Sequence, residues 1–304
     1  MRSVFRVSSV AIHKHLKALL DTHQILKYGK APLVFYSLPA ATAPRLAAKP
    51  SDSIDPEIQA FVEARYVYVS PTGDLIYGVK GFETWALGLH LEKQILPLLA
   101  EYKKIREEAD RFFQPRPHLI EATEKLQNTF EKLHVDGVFY QDFYSLPKFG
   151  KTKLGAFVLY AKQSQHSGLI RNIATECVPA LRDFIKTKSI DTVAFIPHSV
   201  PRKLQFVKEF EKHLNLSQQK IEIVKAYTGE IQVPQKSLSK LEERIVNARN
   251  TFFLKKNSVL AKNILLIDDA VGSGATMNEI AGKIRDAHRP NAIFGFAIVG
   301  SYKG

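Results

Sequence analysis

The sequence predicts an α/β fold with a mostly parallel sheet from about residue 138 onward. Two observations lead to this prediction. Short apolar runs with the length of buried strands lie at residues 192–196, 264–267 and 293–299. Apolar residues recur at helical spacing before the first run, over residues 169–185, and between the last two, at Met277, Ile280, Ala281 and Ile284. Strands that alternate with helices favour parallel pairing with right-handed crossovers.

The most informative stretch is residues 263–285, which read NILLIDDAVGSGATMNEIAGKIR. An apolar strand leads into two carboxylates, then into a loop of glycines and hydroxyl side chains, then into a helix. Glycines let the backbone approach a ligand closely, and free N–H groups at a helix start attract anions. The acids repel that anion, so they suit a neighbouring sugar diol or divalent cation. The stretch therefore predicts a ribose 5-phosphate site; the alternative is a tight turn with solvated acids.

This stretch resembles the signature of type I phosphoribosyltransferases, which bind phosphoribosyl pyrophosphate (PRPP). The resemblance implies the Rossmann-like sheet of that family, Mg²⁺ as the cofactor, and catalytic or metal-binding roles for Asp268 and Asp269. It also implies a loop that holds the 5-phosphate and a basic loop that holds pyrophosphate. The predicted 5-phosphate residues are Ala270, Val271, Gly272, Ser273, Gly274, Ala275 and Thr276, and the predicted pyrophosphate residues are Ser199, Arg202 and Lys203.

A second resemblance points to one branch of that family. Residues 154–169, the loop at 197–202 and the segment at 235–252 are similar to the competence-protein (ComF-like) phosphoribosyltransferases. In the last segment, Gln235, Arg244 and Asn247 match the mobile-loop region of that branch. Those proteins usually carry a four-cysteine zinc module. This chain has one cysteine, Cys177, which excludes such a module, excludes an internal disulfide and fits a reducing, cytoplasmic compartment.

The first 39 residues resemble a winged helix-turn-helix. An apolar stripe at helical spacing follows Ser9, and extended runs near residues 25–28 and 33–38 predict a hairpin. The resemblance implies DNA as a partner. The alternative is an amphipathic helix and hairpin used for dimerisation, with a second copy of the chain as the partner. The predicted DNA-facing residues are Ser9, His13, Lys14, Lys17, Lys27 and Lys30.

The remaining organisation follows from composition. Residues 40–56 are rich in alanine, proline and serine, which predicts a linker. Residues 57–137 predict a hairpin and helices, including two long helices at 87–113 and 118–133. Residues 138–304 then form the phosphoribosyltransferase-like domain, with further strands expected at 156–159 and 221–226.

The net charge of the chain and its distribution indicate which kinds of ligand the protein favours. The net charge is +13, and it is uneven: residues 1–50 carry 8 Lys/Arg against 1 Asp/Glu, whereas residues 51–150 carry 11 against 16. A basic chain of this kind suits polyanionic ligands. A run of about 18 apolar residues would predict a membrane span, and the sequence contains none.

Three functions stay open at this stage. A PRPP-dependent transferase that releases pyrophosphate is favoured. A PRPP-sensing, non-catalytic DNA-binding regulator is the first alternative, and a ComF-like protein that handles DNA in uptake or defence is the second. The sequence does not identify the acceptor of the phosphoribosyl group.

Overall fold

The computed structural model describes residues 9–22, 24–30, 33–37, 54–198, 202–227, 229–255 and 260–302. The chain divides into two compact units, Met1–Ser53 and Ile54–Gly304. Nearly all of the predicted linker at residues 40–56 lies outside the described residues.

The first unit contains the predicted helix and hairpin. Leu16, Leu19 and Leu20 of the apolar stripe are half-buried, whereas Val10 at its start is 77% exposed. The two strands pair antiparallel, with Lys27 opposite Tyr36. These elements are common to many folds, so they do not establish a winged helix. They are α1 (Ser9–Asp21), β1 (Leu26–Lys30) and β2 (Leu33–Ser37).

The first part of the second unit does not contain the two long helices that were predicted there. The chain turns after Gly88, where His90 adopts a left-handed φ of 58°, and a 3₁₀ turn precedes the next helix. Further on, Ile120 pairs with Tyr140 as a strand, which leaves room for only a short helix after it. The elements are α2 (Pro56–Arg65), β3 (Val67–Val69), β4 (Leu75–Tyr77), α3 (Gly78–Gly88), the 3₁₀ turn Glu92–Gln94, α4 (Ile95–Asp110), β5 (Ile120–Glu121) and α5 (Thr123–Gln127).

The rest of the second unit alternates strands with helices. One predicted strand, residues 156–159, is helical instead. Thr152 explains the difference, because its hydroxyl caps a helix by accepting the Gly155 N–H at 3.0 Å. The elements are β6 (Gly137–Phe143), β7 (Ser145–Leu146), β8 (Gly150–Lys151), α6 (Lys153–Ser164), α7 (Ser167–Thr187), β9 (Thr192–Phe195), α8 (Phe206–Leu214), β10 (Gln219–Lys220), β11 (Ile223–Lys225), the 3₁₀ turn Gln235–Ser237, α9 (Leu241–Thr251), β12 (Phe252–Leu254), β13 (Asn263–Val271), α10 (Ala275–His288) and β14 (Ala292–Gly300).

Six strands form the central sheet in the order β10–β9–β13–β14–β6–β5. Neighbours from β10 to β6 run parallel, and the edge strand β5 runs antiparallel to β6. The sheet is therefore mixed rather than mostly parallel as predicted, because a short strand from the front of the unit completes its edge. The strand predicted at 221–226 also changes place: β11 pairs antiparallel with β12, outside this sheet.

The core lies on both faces of β13. Ile264 and Leu266 pack on one face with residues from α2, α3, α4 and α10. Leu265 and Ile267 pack on the other face with residues from α6, α7 and α8, including the buried Cys177. The front of the unit thus shares a core with the sheet. None of the helices in the described part of the chain has the length and hydrophobicity to cross a membrane.

Candidate functional site

A cavity of about 560 Å³ opens beyond the carboxyl ends of β9, β13 and β14. Ligands of open α/β sheets bind at this edge. The cavity brings together most of the predicted site: the acid pair, the glycine loop, Arg202, Gln235 and Arg244. Ser199 lies outside the described residues, and Lys203 is exposed but does not line the cavity.

The acid pair belongs to the end of a strand rather than to a loop. β13 continues to Val271, and Ala270 and Val271 pair with Val299 and Gly300 of β14. This corrects the prediction that the 5-phosphate loop begins directly after Asp269. The strand extends because β14 is equally long and keeps its backbone groups paired. The loop between strand and helix is therefore only residues 272–274.

Because successive residues of a strand point to opposite faces, the two acids have different surroundings. Asp268 is half-buried, and its Oδ1 accepts the Asp269 backbone N–H at 2.7 Å. Asp269 is 7% exposed. Its Oδ2 lies 2.6 Å from Lys162 Nζ and 3.1 Å from His198 Nδ1.

The charge on Asp269 depends on these two partners. Burial by itself raises the pKa of a carboxyl group. Here the Lys162 ammonium and the His198 hydrogen bond outweigh burial and hold the pKa of Asp269 below its ordinary range. Asp269 is therefore a carboxylate at neutral pH, and its charge is balanced by protein groups.

His198 links the acid pair to the neighbouring helix. Its Nε2 accepts the backbone N–H of Val207 at 3.1 Å, in the first turn of α8. Its other nitrogen, Nδ1, must then carry the hydrogen that it donates to Asp269. Both ring nitrogens are used, so the imidazole is fixed in one orientation in the loop after β9.

The glycine loop leaves several backbone donors available. Gly272 is exposed, and Ser273 and Thr276 are half-buried. Among the described residues, the Gly272, Ser273 and Gly274 N–H groups donate no hydrogen bond. The Ala275 N–H has only the Ser273 hydroxyl, at 3.5 Å. The start of α10 thus presents N–H groups that have no partner in the described part of the chain, together with the positive end of the helix dipole.

Gly274 fixes the shape of this loop. Its φ of 78° lies in the left-handed region, which favours glycine. A Cβ at this position would lie 2.6 Å from the Leu126 side chain, which is fully buried. The loop therefore needs glycine both for its backbone conformation and for its contact with α5.

Each of the predicted mobile-loop residues donates a hydrogen bond to a nearby backbone carbonyl. Gln235 Nε2 donates to the Arg244 carbonyl at 3.0 Å, and Arg244 Nε donates to the Leu238 carbonyl at 2.9 Å. Asn247 Nδ2 donates to the Val233 carbonyl at 3.3 Å, but Asn247 does not line the cavity. These bonds fasten the segment before α9 to the helix and place Arg244 at the cavity. The mobility of the segment stays a prediction.

Two important residues carried no predicted role. Lys162 and His198 lie in segments that resemble the ComF-like branch, but no ligand function was predicted for them from the sequence. The signal for His198 was its position in the loop after β9, at the same sheet edge as the acids. Lys162 gave no local signal, since it was expected next to a strand and instead lies in the last turn of α6.

Magnesium fits one of the two acids better than the other. Mg²⁺ prefers oxygen ligands and usually keeps water and substrate phosphates in its shell. Asp268 offers a half-buried carboxylate at the cavity. Asp269 already receives two nitrogen donors on Oδ2. In the described part of the chain, no cluster of three or more His, Cys, Asp or Glu side chains could hold a metal by itself.

The predicted DNA-facing residues lie in the first unit. His13, Lys14, Lys17 and Lys27 are all exposed. Ser9 begins α1 and Lys30 ends β1, and their side chains are outside the described part of the structure.

No protein-family model and no curated protein matches the chain. Solved structures with partial similarity include a hypoxanthine phosphoribosyltransferase from Staphylococcus aureus, at 17% identity over 43% of this chain and 61% of that one, TM-score 0.25. A hypoxanthine-guanine phosphoribosyltransferase from Bacillus anthracis is 15% identical over 43% and 66%, TM-score 0.25. The chain thus spans less than two thirds of either enzyme.

A third similar structure is the adenine phosphoribosyltransferase of Trypanosoma brucei, solved in complex with AMP, pyrophosphate and ribose 5-phosphate. It is 13% identical over 54% of this chain and 83% of that one, with a TM-score of 0.29. At these TM-scores the alignments carry no argument about this chain.

Proposed function

We propose that the second unit binds PRPP or ribose 5-phosphate in the cavity at the end of β13 and transfers the phosphoribosyl group with release of pyrophosphate. One observation carries the proposal: unpaired N–H groups at the start of α10, the Asp268 carboxylate and two arginines line the same cavity. Its volume of about 560 Å³ suits a small-molecule ligand.

Each part of the ligand has a matching group. The 5-phosphate is an anion, and the N–H groups of residues 272–276 are anion donors at a helix start. The ribose hydroxyls are donors, and Asp268 supplies an acceptor. The pyrophosphate is a polyanion, and Arg202 and Arg244 supply guanidinium groups that bind phosphate oxygens in pairs.

The reaction is a displacement at the anomeric carbon. The bond from that carbon to the pyrophosphate oxygen breaks, pyrophosphate leaves with the electron pair, and an acceptor nitrogen forms the new bond and then loses its proton. Mg²⁺, when bound, supplies positive charge to the leaving group. The protein contributes orientation of the sugar and electrostatic stabilisation of the separating charges.

Isothermal titration calorimetry with PRPP and Mg²⁺ tests the binding step. The intact chain should bind PRPP, and Asp268→Asn should weaken binding at least about tenfold, since it removes a charge-assisted hydrogen bond. Asp286→Asn is the matched control, because it makes the same change at an exposed position near the end of α10. Equal affinities for the two variants would contradict the proposal.

Turnover is measured separately as pyrophosphate release from PRPP with a panel of nucleobases. Release that depends on one base identifies the acceptor and supports a transferase. Tight PRPP binding without release supports the first alternative, a PRPP-sensing regulator that binds DNA through the exposed basic residues of α1 and β1. Duplex-DNA affinity that falls steeply with salt would favour that alternative or DNA handling.

A further inference from the structure

One cluster of side chains has no role in the proposed reaction. It consists of Lys162, His198 and Asp269, and we call it the cation clamp. Lys162 comes from α6, His198 from the loop after β9 and Asp269 from β13. Lys162 Nζ and His198 Nδ1 both contact the same oxygen, Asp269 Oδ2, at 2.6 Å and 3.1 Å respectively. All three residues also line the cavity.

The clamp makes the carboxylate of Asp269 less available to a ligand hydroxyl than the carboxylate of Asp268. A ligand hydroxyl that bound Asp269 would have to share a buried carboxylate whose Oδ2 already receives two donors. Asp268 is more exposed and points to the other face of the strand. A sugar that approaches from the cavity therefore meets Asp268 as the accessible acid.

The clamp also sets the local charge. A polyanion such as PRPP is repelled by an uncompensated carboxylate, and buried charges are screened weakly. Lys162 places an ammonium 2.6 Å from Asp269 and so removes that repulsion. Without Lys162, the cavity would hold a second acid facing its anionic ligand with only His198 beside it.

We infer that Lys162 is a positioning residue which neutralises Asp269, so that Asp268 alone contacts the sugar and the cavity can accept a phosphate-bearing ligand. The inference rests on the proposed function, because it assigns roles at the same cavity. It departs from the expectation that both acids hold the ribose hydroxyls.

The test uses the full chain, with ribose 5-phosphate and PRPP as calorimetric probes. The variants are Lys162→Met, Asp269→Asn, Asp268→Asn and the double variant Lys162→Met/Asp269→Asn. Lys153→Met is the matched control: Lys153 lies on the same helix and pairs with Glu176 at 2.8 Å, but it does not line the cavity.

The expected order of affinity is specific. Lys162→Met should bind at least tenfold more weakly than wild type, and adding Asp269→Asn should restore at least fivefold, because the second change removes the uncompensated charge. Asp269→Asn alone should stay within threefold of wild type or bind more tightly, whereas Asp268→Asn should lose at least tenfold. Lys153→Met should stay within twofold.

The opposite order overturns the inference. If Asp269 contacts the sugar directly, Asp269→Asn weakens binding as much as Asp268→Asn, and it weakens binding further in the Lys162→Met background. Should Lys162→Met not fold, the two single aspartate variants still decide between these results. If wild type binds neither probe, the proposed function fails first; wild-type binding with the wrong order removes only the inference.

Discussion

The two units of the chain use charged side chains in different ways. In the first unit, Lys14, Lys17 and Lys27 are exposed to solvent. In the second, Lys162 and Asp269 are almost buried and hold each other at 2.6 Å. Exposed charges interact weakly with the rest of a fold, whereas a buried charge that loses its partner is costly. The charges at the cavity are therefore held in place by contacts within the fold, whereas the described lysines of the first unit have no such constraint in their exposure to solvent.

Gly274→Ala should give the largest effect among the changes that test this contrast. Alanine would have to adopt the left-handed φ that favours glycine, and its Cβ would press on the buried Leu126 side chain. Together these effects should lower the free energy of unfolding by about 2–4 kcal/mol. Urea unfolding followed by circular dichroism measures the loss.

Gly272→Ala is the control for that prediction. It lies two residues away in the same loop, has no atom within 4 Å of the added Cβ and no left-handed φ. Its effect on stability should stay below about 0.5 kcal/mol. Similar losses for the two variants would mean that the loop is not packed as described.

Lys225→Met tests the exception to the contrast, a half-buried lysine whose ammonium has no hydrogen-bond acceptor among the described residues. Lys225 Nζ is inaccessible and has no hydrogen-bond partner among the described residues; it lies 4.2 Å from the Phe252 ring centroid. Burial lowers the pKa of Lys225 from 10.5 to about 8. Between these two values the unfolded chain holds a proton that the folded chain lacks, so this residue makes stability rise with pH.

The expected result for Lys225→Met follows from this rise of stability with pH. The variant should melt at a higher temperature than wild type at pH 7, where the cost of burying the ammonium is fully present. The gain should shrink as pH rises from 8 towards 10. Lys208→Met, at an exposed lysine of α8, should show no such dependence. A constant difference at all pH values would mean that Lys225 is not buried as a strained cation.

The smallest effect on stability is expected in the first unit. Lys14→Gln/Lys17→Gln should change the free energy of unfolding by less than about 0.5 kcal/mol, because both side chains are exposed. If the unit binds DNA, the same change should reduce the slope of log affinity against log salt by about 1 to 2. Lys80→Gln/Lys93→Gln, at exposed positions of the second unit, is the control. Equal salt-dependence slopes for the two double variants would contradict the prediction that α1 contacts DNA.

The fold predictions that are confirmed depended on the local pattern of apolar residues. The helix at α7 and the strands β9, β13 and β14 have strong apolar periodicity, and each was predicted within a few residues. The predictions that failed depended on tertiary context. Residues 156–159 are apolar enough for a strand, but the Thr152 cap starts a helix there. The edge strand β5 is too short to give a pattern and exists only because β6 is beside it.

The order of chemical groups around residue 270 can be read from the sequence: an apolar strand, two acids, a run of small residues and a helix. This order is local, so spacing along the chain reveals it. The different surroundings of Asp268 and Asp269 come from the three-dimensional fold. That split depends on Lys162 and His198, which are 107 and 71 residues away from Asp269 in the chain. Side chains this distant meet only when the sheet packs against α6 and α8, and no local pattern encodes that contact.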